Sequence, residues 1–161
     1  FTDTVQLIVG KTGNSGGKDL EVEFLTGDRH MPAATLTGFH NNAAIMMFLQ
    51  NDVRELQKAT GGSMVYFRNR IRNAFARPLT LQKTSIKFDG RKISTIEIVM
   101  SPFPKDPLGA RFKQYADRTY RFIMSDDIPG EVFQLGTTTR SPDGKIITET
   151  IMTFVSMGKK N

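Results

Sequence analysis

Gln82-Lys83-Thr84-Ser85-Ile86-Lys87-Phe88-Asp89-Gly90-Arg91-Lys92-Ile93-Ser94-Thr95-Ile96-Glu97-Ile98-Val99-Met100 is the stretch whose reading decides the fold. Gln82, Thr84, Ile86 and Phe88 alternate along its first half, and Ser94, Ile96, Ile98 and Met100 alternate along its second. A period of two is the period of a strand, and Asp-Gly between two such runs is the signal of a two-residue hairpin turn. The stretch therefore predicts two antiparallel strands, and an antiparallel sheet around them.

Downstream the pattern stays with strands. Pro102, Pro104 and Pro107 interrupt it, and Asp106-Pro107 has the cap-then-proline order of a helix start, with Leu108, Phe112 and Tyr115 on one apolar face. One short helix is expected at about 107–116. Tyr120, Phe122 and Met124 then alternate as a strand. Ser125-Asp126-Asp127-Ile128-Pro129-Gly130 and Ser141-Pro142-Asp143-Gly144 are turns, on either side of a strand from Val132 to Thr139 and before a last one from Lys145 to Met157.

Upstream the period changes from two to three and four. Ile45, Phe48, Leu49, Val53 and Leu56 form one apolar stripe of a helix; Gly61-Gly62 stops it; Ser63 caps a second helix whose stripe is Met64, Phe67, Ile71, Ala74 and Phe75. A helical hairpin is expected at about 41–76, beginning at Asn41, with Ile45, Phe48, Leu49, Phe67, Ile71 and Phe75 buried together. Before it, Thr4–Val9 and Leu20–Phe24 read as an N-terminal hairpin around an open loop from Gly10 to Lys18. The class is α+β: a mainly antiparallel sheet, made of that hairpin and about five later strands, covered on one face by the helical hairpin. A chain of 161 residues without a dividing linker is read as a single domain, 1–161, able to bury about 70% of its unfolded surface without staples.

Charge is regional. Residues 61–125 hold 13 of the 22 Lys and Arg but 4 of the 16 Asp and Glu, whereas 1–60 and 126–161 are both slightly acidic. Clustering of this kind points to a face that meets something anionic. The absence of cysteine removes disulfides and thiolate zinc sites, and the longest apolar run, residues 43–49, is far short of the ~20 residues of a membrane-spanning helix. The sequence starts at Phe1 rather than Met, as a chain trimmed at its start or matured by removal of a signal peptide would. Export to an extracytoplasmic space is the expectation taken from this.

Four places could carry chemistry. Gly10–Asp19 follows a strand like a phosphate-binding loop, but against Gly-x4-Gly-Lys-Ser/Thr it has Thr12 for the first glycine and Asp19 for the hydroxyl, and strand-patterned residues follow. It reads as a hairpin loop. Arg68 and Arg72, four apart on the second helix, lie one above the other; Arg70 points to the other side and Arg77 follows. Stacked guanidinium groups can fork a phosphate, sulfate or carboxylate. Against this stands Asp52, a charge inside the apolar stripe of the first helix that needs a buried partner; its pairing with Arg68 or Arg72 is the preferred reading. His30 and His40 have no orienting acid or metal-ligand spacing and are read as surface or capping residues. Asp126 and Asp127 are two acids where a calcium loop supplies six to eight oxygens, and turn chemistry explains them.

The reading is a non-catalytic binding or interaction domain without cofactor or metal, whose basic segment, with Arg68, Arg70, Arg72 and Arg77, faces an acidic protein surface or a small anion. A nucleic-acid-binding domain is the alternative, weakened by the absence of Trp and of any standard reader motif. An enzyme is third, and would have to draw on Asp52, Arg68 or His40.

Overall fold

The computed structural model describes residues 1–13, 16–40 and 42–157 and contains, in chain order, β1 (Val5–Thr12), β2 (Lys18–Phe24), β3 (Met31–Phe39), α1 (Ala43–Thr60), α2 (Met64–Phe75), β4 (Leu81–Phe88), β5 (Arg91–Met100), β6 (Thr119–Met124), β7 (Val132–Arg140) and β8 (Ile146–Thr153). The class is α+β, and every strand pair is antiparallel. The expected single sheet is two, in the orders β1-β2-β3 and β4-β5-β6-β7-β8. By contacts the chain divides into two compact units, Phe1–Met47 and Phe48–Asn161. Among the described residues no helix is long and apolar enough to cross a membrane.

The first unit is built on β2, whose Leu20, Val22 and Phe24 are buried while Glu21 and Glu23 are exposed, as alternation along a half-buried strand requires. The hairpin loop is tighter than the expected opening from Gly10 to Lys18: strand pairing runs to Thr12 opposite Lys18, and Gly13 donates its amide to Gly17 O at 2.7 Å. Asn14 and Ser15 of that loop lie outside the described residues. The third strand, β3, is absent from the sequence reading because Pro32 and Gly38 hide it. Proline is tolerated on an edge strand, where β3 lies, and Gly38 stands at φ 62°.

The second unit holds α1 from Phe48 onward, α2 and the five-stranded sheet. The expected helix start at Asn41 lies outside the described residues; Asn42 caps α1 by accepting the Ile45 amide at 3.1 Å. Gly61, at φ 69°, donates to Gln57 O and ends α1 in the left-handed conformation that glycine adopts without a Cβ penalty. Ser63 Oγ accepts from Tyr66 N and starts α2. From α1, Phe48, Val53 and Leu56 are buried, and from α2, Phe67, Ile71 and Ala74. The stripe is narrower than expected: Ile45 and Leu49 are half-buried, and Phe75 stays 38% exposed although its ring meets Phe122 of β6 at 5.4 Å. Phe75 is the last residue of α2, where no further helical turn follows to cover it.

The expected helix at 107–116 is a 3-10 segment, Gly109–Tyr115, broken at Phe112 (φ −129°, ψ 41°). The break lets the Phe112 ring enter an edge-to-face cluster with Phe67 and Phe103, at centroid distances of 5.6 and 5.5 Å, and such packing outweighs one short helical turn.

The β4–β5 hairpin forms as its alternation predicts, with Asp89 (φ 48°) and Gly90 (φ 74°) both left-handed in the two-residue turn and Phe88 opposite Arg91. That register separates the two alternating sets. Ile86 lies opposite Ile93 and Thr84 opposite Thr95, so the even residues of β4 share a face with the odd residues of β5. On that face Phe88 packs against Phe133 and Phe154 at 5.9 and 5.6 Å. Ile98 and Met100 lie on the opposite face, beside Phe122 and Tyr120, where α1 and α2 cover the sheet. Lys83, Ser85 and Lys87 of β4 share this second face but reach beyond the helices and are exposed.

Candidate functional site

The cations of the basic segment divide into those spent inside the fold and those left on its surface. Arg118, immediately before β6, is buried with Asp52 of α1, both side chains 5% exposed. Its Nε and Nη2 donate to the Asp52 carboxylate, Nη2 also to Thr137 at 2.7 Å, and Nη1 to Thr139 and Thr148 at 2.8 and 3.1 Å. The Tyr120 hydroxyl donates to the same carboxylate. All five guanidinium protons are placed, which is what makes a buried ion pair tolerable. Burial works against the Arg118 charge, but the Asp52 carboxylate outweighs it and holds the guanidinium above its usual pKa; burial and then Asp52 push the Tyr120 phenol well above its own.

The expected partners of Asp52, Arg68 and Arg72, are therefore replaced by Arg118. Asp52 is on the side of α1 that faces the sheet, whereas Arg68 and Arg72 are on the exposed side of α2. Arg68 donates to Gln50 at 3.3 Å instead. Arg70 is drawn inward to Asp106, whose side chain is fully enclosed, with Nε 2.5 Å from Oδ2. Asp106 Oδ1 also accepts the Tyr66 hydroxyl and, at 2.8 Å, the Leu108 amide, so this cluster fastens the 3-10 segment to α2. Burial, and then its hydrogen bond to Asp106, raises the Tyr66 pKa. Arg72 and Arg77 are exposed and have no ion pair among the described residues; Arg77 lies in a small depression with Leu79 and Ser101. The four arginines thus do not converge on one point.

What the sequence reading missed is the exposed face of the β4–β5 hairpin. Lys87 stands directly opposite Lys92 and Ser85 directly opposite Ser94, with Lys83 two residues further along the same face. All five are exposed, and the three lysines have no ion pair among the described residues. The signal was present in Asp89-Gly90: a two-residue turn fixes Phe88 against Arg91 and hence Lys87 against Lys92. On the other face, Arg121 is consumed by Glu97, with Nε 2.5 Å from Oε1, and this hydrogen bond lowers the Glu97 pKa.

The remaining candidates are local structure. Lys18 opens a strand rather than a helix, so Gly10–Asp19 offers no helix N-terminus to a phosphate. His30 and His40 are exposed. Asp126 and Asp127 sit in the turn closed by Ser125 N to Glu131 O at 3.0 Å, with the Asp127 amide donating to Ser125 Oγ. Among the described residues no group of three His, Asp or Glu is placed to hold a metal ion. No family model matches the chain, and no curated protein or solved structure does.

Proposed function

We propose that the chain is a non-catalytic binding domain whose basic segment meets an anionic partner, an acidic protein surface or a small anion. One observation carries this reading: of the cations in 61–125, the described ion pairs take Arg70, Arg118 and Arg121, while Glu97 and Asp106 are the acids of the segment drawn into pairs. The positive excess is left on the exterior, where an anion can neutralise it. The buried polar cluster supports the non-catalytic half of the reading. Asp52, the carboxylate an enzyme reading would draw on, is enclosed and already satisfied by Arg118 and Tyr120.

The test is a titration of the full chain with polyglutamate at physiological salt, followed by calorimetry or fluorescence anisotropy. Saturable binding that weakens when Lys87 or Arg72 is changed to Glu is expected. No binding to polyglutamate or to any small multivalent anion would overturn the reading, and tight binding to duplex DNA would replace it with the nucleic-acid alternative.

A further inference from the structure

Lys87 and Lys92 present a problem that folding alone does not solve. They face each other across an antiparallel pair, where Cβ atoms lie about 5 Å apart and like charges destabilise the sheet. Edge protection accounts for Lys83 and Lys87, because β4 is the terminal strand of its sheet and lysines discourage pairing with other chains. It does not account for Lys92. β5 is an inner strand, bonded on both sides by β4 and β6, and has no edge to guard. No acid of β4 or β5 shares this face: Glu97 is on the other one, with Arg121, and Asp89 is in the turn.

The neighbours of the pair are hydroxyls. Ser85 and Ser94 oppose each other one step in from Lys87 and Lys92 on the same face, about 7 Å along the strands. A shallow, open depression lined by Ser85, Ile86, Lys87, Gly90 and Lys92 runs along β4 at the turn end of this patch, and Ser94 stands beside it rather than in its lining. Two ammonium groups and two hydroxyl donors at the corners of one patch match an acceptor with two negative charges and several oxygens. A carboxylate would cancel half the charge and reach half the donors. Lysine suits a tetrahedral group that needs no planar fork, since it acts as a point charge.

We infer that the β4–β5 hairpin holds a tetrahedral oxyanion of the phosphate or sulfate type, seated between Lys87, Lys92, Ser85 and Ser94, with Lys83 adding to its field. This rests on the anionic-partner reading and narrows it to one face and one ligand chemistry. Binding relieves the Lys87–Lys92 repulsion, so the hairpin is stiffened by its ligand and is strained without it.

The experiment is a titration of the isotope-labelled full chain with inorganic phosphate and with sulfate at constant ionic strength and neutral pH, read as amide shifts, with chloride as control. Saturable shifts at Ser85, Lys87, Lys92 and Ser94 are expected with phosphate and sulfate and not with chloride. Lys92→Gln should weaken binding about fivefold, the loss of one exposed charge contact. Lys87→Glu separates this seat from a merely structural role. It should abolish binding while raising Tm by about 1–3 °C, because a carboxylate would then face Lys92. Shifts centred on Arg72 and Arg77, or identical with chloride, would overturn the seat, and so would a Lys87→Glu chain that binds as before. If polyglutamate or duplex DNA binds while phosphate leaves the hairpin unmoved, the anionic-partner reading survives and this seat falls. If no anion binds, both fall.

Discussion

Asp52 occupies a position where an unpaired charge would cost several kcal/mol, and the five donors of Arg118 together with the Tyr120 hydroxyl are arranged so that none is left over. Asp52→Ala strands that guanidinium without a counterion and should lower stability by about 3–5 kcal/mol in urea unfolding, while Arg72→Ala on the exposed side of α2 should stay within about 0.5 kcal/mol. A small loss at Asp52 would mean that the network is not formed. Glu97 gives a milder effect with a definite sign. Its hydrogen bond from Arg121 depresses the folded pKa below the ordinary 4.5, so the pair contributes stability at neutral pH that begins to be lost as pH falls below that value. Glu97→Gln should flatten the acid limb of the stability curve, by less than about 1 kcal/mol for a pair as exposed as Arg121 makes it. At this scale the sequence told that Asp52 is inward, since it falls four residues from both Phe48 and Leu56. It did not tell the partner, which lies 66 residues away, because periodicity places a residue on a face and says nothing of which distant strand covers it.

Elements were legible where local chemistry decides them and hidden where it is ambiguous. The β4–β5 turn, the Gly61 stop and the Ser63 cap each follow from one residue's backbone or side-chain preference. β3 does not, because Pro32 and Gly38 read as breakers unless the strand is known to lie at an edge. The 3-10 segment is the converse case, a helix signal at Asp106-Pro107 overruled by the packing of Phe112 on Phe67 and Phe103. The exposed lysine face is not legible strand by strand, because facing depends on both strands and the turn between them. Three changes test the elements by urea unfolding. Phe48→Ala, at 3% exposure, should cost about 3–5 kcal/mol, and the half-covered Phe75→Ala clearly less. Gly90→Ala, at φ 74°, should cost about 1–2 kcal/mol through left-handed strain, although a Cβ there would meet open space. A neutral Gly90→Ala would count against the two-residue turn and the register it sets.

For the molecule as a whole, charge separates along the chain as the contacts do: residues 48–161 carry 19 Lys and Arg against 11 Asp and Glu, and residues 1–47 carry 3 against 5. A polyanion would be drawn to the basic unit at low salt whatever its identity, so affinity alone does not distinguish partners; the salt dependence does. Duplex DNA binding releases condensed counterions, and log K falls with log salt at a slope near −0.9 for each phosphate neutralised. An acidic protein surface has no condensed counterion layer of that kind, and its binding should decline less steeply and respond to particular side chains. The chain should therefore bind mixed duplex no tighter than about 1 μM at physiological salt, the tight edge of ordinary non-specific binding. Anisotropy titrations at several salt concentrations check this. Nanomolar binding with a slope of several phosphates would instead make the hairpin a basic ribbon of the size a major groove admits, and Lys83, Lys87 and Arg70 would then be the substitutions to make. Of those three, Arg70→Ala should leave DNA affinity nearly unchanged, because its guanidinium is engaged with the enclosed Asp106, while the two lysines should each lower the salt slope by about one.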